Sequence, residues 1–484
     1  MYLGLDLGTS SLKALLIDSD QRILGSASAP LTVERPHPGW SEQDPDSWIM
    51  ATRVALAELG QTHAAELGRV RGIGLSGHMH GATTIDGNGK VIRPCILWND
   101  TRSYKEAAAL DANAQFRLLT GNIVFPGFTA PKLKWMAANE PEAFSRIAKV
   151  LLPKDYLRLW LTGDAISEMS DSAGTSWLDV GKRDWDGGLL SATGLDRSQM
   201  PALVEGTERG GALRAEVAAE LGLPSGIPIA GGAGDNSASA CGMGTVADGQ
   251  AFASLGTSGV LFAANNRYLP NPDSAVHAFC HALPGTWHQM GVILSATDSL
   301  NWLSGITSTD PSKLTSELGQ NVLAPGSVVF LPYLSGERTP HNDAAIRGSF
   351  AGLGHEADRT ALTRAVLEGV CFAFRDSLAA LAQAGTSLSR VTAIGGGSKS
   401  SYWIEALATV LGLPVDIPEG GDFGAAFGAA RLGLIAAENA DPFSICTPPA
   451  TEQTIHPNRD LSAAFDEAYL RYRALYPAIK GAMS

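Results

Sequence analysis

The sequence predicts a duplicated α/β protein of two large domains, and three observations carry that prediction. Leu7-Gly8-Thr9-Ser10 recurs as Leu255-Gly256-Thr257-Ser258, each copy lying between two apolar, β-like runs. Apolar runs of strand length alternate with helical patterns along most of the chain. The length, 484 residues, exceeds what a single core supports. Strand–turn–strand units of this kind present backbone N–H groups and short hydroxyls, so a facing pair suits a polyphosphate.

The elements follow in order. Tyr2–Leu7, 12–18 and 23–29 read as a three-strand meander joined by short polar turns. A helix is expected from Asp46, just after Pro45, to about Leu59, with Trp48, Met50, Ala51, Val54 and Ala55 on its apolar side. A strand over 70–75 leads into Ser76–His80 and then a hairpin turn at Asp86-Gly87-Asn88-Gly89. Residues 100–225 are more helical, broken at Pro126, Pro131, Pro153 and Pro201. Residues 228–234 form a buried strand running into glycines, and a small-residue helix starts at Asp235. The second half opens near Gln250 and ends in helix around 461–475. The boundary is expected near residue 245, giving domains 1–245 and 246–484.

Composition narrows the function classes. With 18% charged and 45% hydrophobic residues and 54 glycines, the chain is globular and Gly-rich. A formal net charge of −13 argues against nucleic acid or an anionic membrane as partner. The five cysteines, Cys95, Cys241, Cys280, Cys371 and Cys446, show no CxxC spacing and read as reduced thiols of a cytoplasmic protein. The opening MYLGLDLG leaves no room for a secretory n-region and h-region, and no apolar run approaches membrane-spanning length, so a soluble intracellular protein is expected.

Several chemistries are excluded by motif. No Gly-x4-Gly-Lys-Ser/Thr sequence is present. Gly72, Gly74 and Gly77 satisfy G-x-G-x-x-G, but a hairpin rather than a helix follows them, so a dinucleotide fingerprint is rejected. His277, His281 and His288 straddle Pro284 without metal-ligand spacing, which argues against zinc.

The positive signals sit at strand ends. Asp6 lies beside the Gly8–Ser11 turn, where one carboxylate suits a hydrated divalent cation next to phosphates. The alternative is a turn-capping Asp. Asp235 follows Ile229-Ala230-Gly231-Gly232-Ala233-Gly234 and opens a helix. Glycines there let a substrate approach the backbone, and the carboxylate is placed to take a proton from a hydroxyl. A helix cap alone would not need so many glycines. Gly395-Gly396-Gly397-Ser398 stands between a strand and a helix, as a nucleotide-bearing turn does.

Taken together, these motifs resemble those of the FGGY carbohydrate kinases, in the actin/Hsp70/sugar kinase superfamily. Asp6–Lys13 looks like the first phosphate motif, Leu255–Gly259 like the second, and Gly395–Ser398 like the adenosine motif. Gly424–Ala430 resembles the later connecting helix. Trp40–Pro45, Met79–Gly81, Leu97–Asp100, Pro131–Leu133, Pro153–Arg158 and Gly336–His341 look like the branch of the family that phosphorylates D-xylulose. The resemblance implies two ribonuclease H-like α/β domains flanking a central catalytic cleft, the first binding sugar and the second nucleotide. It implies ATP-dependent phosphorylation of the C5 hydroxyl of D-xylulose, in pentose catabolism, with Mg²⁺ as cofactor. Asp235 would be the general base. Met79, His80, Asp235 and Asn236 would line the sugar pocket, with Asp100 a further substrate contact and Arg102 equally an ion-pair partner. Thr9, Ser10, Gly256 and Thr257 would face the phosphates, Gly396, Gly397 and Ser398 the adenosine, and Asp6 would position Mg²⁺. A homodimer is the assembly expected by likeness to such enzymes.

Three positions depart from that pattern. His78 stands where the family pattern has Gln, which bears on pocket polarity and pH response; Ala233 interrupts the glycine run; Ala138 replaces a polar residue after Lys132–Trp135. Other acceptors remain open (L-ribulose, gluconate, L-fuculose or glycerol), as does a non-catalytic ATP switch of the actin or Hsp70 kind.

Overall fold

Two seven-stranded mixed sheets organise the chain in the computed structural model, which describes residues 1–421 and 423–483. In the first sheet Tyr2–Leu7 pairs antiparallel with Ser11–Ile17, which pairs antiparallel with Ile23–Pro30. On its other side Tyr2–Leu7 pairs parallel with Gly72–Gly77, which runs parallel to both Pro228–Ala230 and Ala233–Gly234. The strand expected over 228–234 is thus broken in two at Gly231 and Gly232, and its second piece ends directly at helix Asp235–Met243.

The second sheet repeats this plan. Ala251–Leu255 pairs antiparallel with Gly259–Asn265, which pairs antiparallel with Trp287–Ile293. Ala251–Leu255 also runs parallel to Val391–Ile394, itself parallel to Val415–Pro418. The duplication seen in the repeated Gly-Thr-Ser turns therefore extends to strand order and direction. Because the central strands of each sheet are parallel, the segments that follow them emerge at one edge. In the first half these are the Gly8–Ser10 turn, His78–His80 and Asp235; in the second, the Gly256–Ser258 turn and Gly395–Ser398.

The helix expected over 46–59 forms as Pro45–Leu67, with Pro45 inside its first turn and an Asp44 side-chain cap, and runs a further two turns. Trp48, Ala51 and Ala55 are buried, whereas Met50 and Val54 are exposed, so the apolar face is narrower than the sequence suggested. The residues of G-x-G-x-x-G lie in strand Gly72–Gly77 and serve packing. Helix Ala425–Glu438, although it belongs to the second half of the chain, lies against the first sheet. A Cβ on Gly74 would collide with the carbonyl of Ala429, on Gly72 with that of Gly433, and on Gly4 with that of Ala426. The same helix meets Asp235–Met243 equally closely, since a Cβ on Gly428 would strike the Ala238 carbonyl. Backbone touches backbone at each of these points, which only glycine allows.

The halves also share side-chain core. Phe116, Phe128, Trp177, Phe262 and Phe279 belong to one apolar cluster. Asn122 exchanges hydrogen bonds with the backbone of Ala278, donating from Nδ2 to the carbonyl (2.9 Å) and accepting from the amide (3.1 Å). All five cysteines are buried as free thiols, and no described helix is long and apolar enough to cross a membrane.

Substituting Gly74 by Ala forces a methyl into the Ala429 carbonyl. We expect Gly74→Ala to destabilise the protein by about 3 kcal/mol or more, beyond ordinary overpacking because the obstacle is backbone. Gly87→Ala, which meets nothing within 4 Å, should leave the melting temperature near that of the parent. Equal melting temperatures for the two variants would contradict the packing account.

Candidate active site

Asp235 opens its helix with Gly234 at the cap position. Its Oδ1 accepts the Asn236 amide at 2.7 Å and Asn236 Nδ2 at 3.0 Å, both on the same oxygen. The carboxyl lies deep yet is only partly covered. Burial, and then the negative charge of Asp6, push its pKa up to about 6, against the opposing pull of the two Asn236 bonds. Asp6 thus stands close enough to repel Asp235, as the register also implies: Asp6 pairs with Ser76, and Ser76 with Ala233.

The glycine-rich segment before Asp235 is held from beneath by buried charge. Arg158, fully buried, donates from Nη1 to the carbonyls of Gly210 (3.0 Å) and Ala230 (2.8 Å) and from Nη2 to that of Gly231 (2.6 Å). The Gly234 amide donates to Ser170 Oγ at 3.1 Å, and Ser170 Oγ donates to Glu168 at 3.1 Å. Lys154 Nζ lies 2.8 Å from Asp155, 3.1 Å from Asp171 and 3.3 Å from Glu168, with all four side chains fully buried. Burial drives the Asp171 pKa well above the usual carboxylate range, and Lys154 opposes that rise. Such a cluster is costly to bury and strongly destabilising to break on one side. Here it fixes the backbone that carries Asp235. Pro153–Arg158 entered the sequence reading only as a family-like motif and Ser170 not at all, because their contacts are to backbone atoms far away in sequence.

Met79 and His80 reach the same place. A Cβ on Gly234 would lie 2.9 Å from Met79 Cγ, and one on Gly174 would lie 2.5 Å from the His80 ring. His80 adopts a left-handed backbone (φ 69°), an uncommon state for a residue with a side chain. Its ring stacks on Phe128 at 4.5 Å, and Nδ1 bonds the Gly174 carbonyl at 2.7 Å, which makes Nδ1 the donor and leaves Nε2 as an acceptor. Burial lowers the His80 pKa to about 3, so the ring stays neutral. His78 is buried as well, with its pKa lowered to about 3 by burial and then by Lys132. The pH response expected of His78 is therefore absent near neutrality. Arg338, from the other half, bonds His277 at 3.1 Å and sits 4.3 Å from the Phe125 ring.

Asp100 is held by an ion pair. It is 1% exposed, accepts the Ser41 amide at 2.6 Å, and is chelated by Arg102 at 2.7–3.0 Å. Arg102 also reaches Glu42 at 2.7 Å and lies 3.5 Å from the Trp40 ring centroid. Both carboxylate oxygens are thus committed, and Asp100 holds the 97–102 turn instead of facing a ligand. Neighbouring Trp98, by contrast, is exposed and donates its indole N–H to Thr9 Oγ1 at 3.0 Å, tying that turn to the first phosphate-type hairpin.

At the second half, the Gly256 carbonyl accepts the Thr297 amide (2.9 Å) and hydroxyl (2.8 Å), so the Gly256–Ser258 turn is braced by helix Thr297–Thr307. Thr257 is exposed, as is Ser10 in the first turn. Gly395 has φ 90° and passes so close to Leu255 that a Cβ would lie 2.7 Å from its carbonyl oxygen. Beside this turn lies a cavity of about 690 Å³ lined by Gly396, Gly397, Asn301, Ser312, Thr315 and Trp403, among others. Ser398 does not line it; its hydroxyl turns back to the Gly395 carbonyl at 2.7 Å. Trp302, next to Asn301 in the same helix, stacks on Phe330 and Phe350 against the core. Asn301, Ser312 and Thr315 have no motif in sequence that marks them. Among the described residues no cluster of three or more metal-ligating side chains occurs. His277, His281 and His288 are all buried; His281 bonds the Thr245 carbonyl (3.2 Å) and His288 the Ser237 hydroxyl (3.4 Å).

Comparison with known proteins agrees with this geometry. Residues 1–242 match the N-terminal domain of the FGGY family of carbohydrate kinases and residues 251–437 its C-terminal domain. The chain is 47% identical over 479 residues to a xylulose kinase of Escherichia coli (strain K12), covering 98% of both chains. Among solved structures it is similar to a xyloylose kinase from Brucella ovis, with 67% identity, a TM-score of 0.98 and 99% of both chains covered. It is also similar to a xylulose kinase from Rhodospirillum rubrum, with 30% identity, a TM-score of 0.92, and 100% of this chain and 99% of that one covered. With both halves matched in order, the chain belongs to the FGGY family of carbohydrate kinases.

Proposed function

We propose that this enzyme transfers the γ-phosphoryl group of ATP to the C5 hydroxyl of D-xylulose, releasing D-xylulose 5-phosphate and ADP in the cytoplasm as a step of pentose catabolism. The observation that carries this reading is the convergence of Asp235, Met79 and His80 at one edge of the first sheet, in a chain 47% identical end to end with a xylulose kinase. Residues 1–245 act as the sugar-binding half and 246–484 as the nucleotide-binding half.

Each group has a role suited to phosphoryl transfer, in which positioning and charge neutralisation do most of the work. Asp235 receives the proton of the sugar hydroxyl as the oxygen attacks phosphorus. Its Oδ1 is engaged by Asn236, so Oδ2 is the oxygen offered to the substrate. Neutral His80, donating through Nδ1 to Gly174, presents Nε2 as an acceptor for a sugar hydroxyl, with Met79 as the apolar wall. Thr9, Ser10, Gly256 and Thr257 receive the phosphates. Gly396 and Gly397 border the cavity of about 690 Å³, whose size suits an adenosine. The repulsion between Asp6 and Asp235 fits a cation site, since a divalent ion next to Asp6 relieves it. Asp6 would hold Mg²⁺ there, and the ion would supply charge neutralisation for the phosphates.

Asp235 accepts a proton only when ionised. With its pKa raised to about 6, kcat/KM for the sugar should rise with pH through about 6 and level off above 7. A profile flat from about pH 5 to about pH 8 would count against Asp235 as the base. Asp235→Ala should lower kcat by at least about 10²-fold with the melting temperature little changed; near-normal turnover would refute the role. ADP release should be strong with D-xylulose and weak with D-ribulose, L-ribulose, glycerol, gluconate or no sugar. Preference for another polyol would overturn the substrate, and release indifferent to every sugar would overturn the kinase reading.

A further inference from the structure

The segment Lys132-Leu133-Lys134-Trp135 takes no part in the chemistry above, yet Lys132 is fully buried. Its ammonium donates to the His80 carbonyl at 2.8 Å, and none of the described ion pairs gives it a carboxylate partner within 4 Å. Burying an ammonium on a single neutral acceptor is expensive. Burial lowers its pKa to about 7, while the thiol of Cys95 and the carboxylate of Asp100 act to raise it.

The acceptor is unusual too. His80 is the left-handed residue of the Met79–His80 segment, and its ring is fixed separately by Phe128 and by the Gly174 carbonyl. A second donor reaches the same carbonyl from one helical turn earlier: Thr129 Oγ1, at 3.1 Å. Thr129 and Lys132 stand three residues apart on helix Thr129–Asn139, and so share a face. An unfavourable backbone state persists only where its surroundings over-determine it, and two donors on one carbonyl do that.

We propose that Lys132 and Thr129 are positioning residues that clamp the His80 carbonyl and thereby set the sugar pocket. The proposal rests on the reading that Met79 and His80 bind the sugar. Neither residue touches the substrate; both act through the backbone of His80. Trp135, on the same helix, packs at 5.4 Å against Trp40, which stacks on Arg102, so the helix is also anchored to the Asp100 turn.

The test compares Lys132→Met, Thr129→Val and His80→Ala by sugar KM, ATP KM, kcat and melting temperature. Losing a charge-assisted donor should raise the sugar KM roughly 10-fold or more in Lys132→Met, and losing a neutral one about 3-fold in Thr129→Val. The ATP KM should stay within about 2-fold in both, a split that a general loss of fold would not produce. Combining Lys132→Met with His80→Ala should add little to the sugar KM of His80→Ala alone. If Lys132→Met does not fold, Thr129→Val, which is nearly isosteric, decides. An unchanged sugar KM in the clamp variants that fold, with a raised one in His80→Ala, would overturn the clamp and leave the pocket intact. An unchanged sugar KM in His80→Ala would overturn the pocket reading itself.

Discussion

The close contact between helix Ala425–Glu438 and the first sheet is the constraint on which the architecture depends. A helix from the second half of the chain can lie on strands Tyr2–Leu7 and Gly72–Gly77 only because Gly4, Gly72 and Gly74 offer no side chains to it. On its other side Gly428 does the same for helix Asp235–Met243. One helix is thereby locked to the strand that ends at Asp6 and to the helix that begins with Asp235. The repulsion between those two carboxylates is enforced by this packing, since neither backbone is free to retreat. Burial of Asp235 raises its pKa most, and the Asp6 charge held near it by this packing adds to the rise.

Buried charge does the second part of the work. Around the site the protein commits ions to holding backbone: Arg158 to three carbonyls, Lys132 to one, and Lys154 to the three acids behind Ser170. Each pins a segment that carries a functional group yet whose own glycines or left-handed geometry would let it wander. Rigid support of this kind is what a reaction governed by positioning requires. The histidines near the cleft are held neutral by burial, so they serve as hydrogen-bonding surfaces and add no positive charge.

Much of the fold was legible in sequence, because hairpins, parallel crossovers and Gly-rich turns leave local signatures. The repeated Gly-Thr-Ser turn indicated the duplication, and the strand and helix flanking Gly395–Ser398 appear where the pattern placed them. Rejecting the dinucleotide fingerprint at Gly72–Gly77 was correct, but the reason those glycines exist lay some 350 residues away along the chain, in helix Ala425–Glu438. The candidate site was legible where the proposed role belongs to a residue's own side chain, as with Asp235 and His80. It was not legible where a buried side chain bonds another residue's backbone, as with Lys132, Arg158 and Ser170. Asp100 marks the same boundary from the other side: the sequence left it between substrate contact and ion pair with Arg102, and the fold shows Arg102 on its carboxylate.

In the proposed reaction the first half presents a sugar hydroxyl to phosphates held by the second, with Asp235 between them. The most direct measurement is the identity of the phosphorylated product, read by phosphorus and proton nuclear magnetic resonance after reaction of D-xylulose with Mg²⁺-ATP. The account predicts a single phosphomonoester coupled to the C5 protons, in amounts equal to the ADP formed. Inorganic phosphate without an ester, or an ester at another carbon, would contradict it.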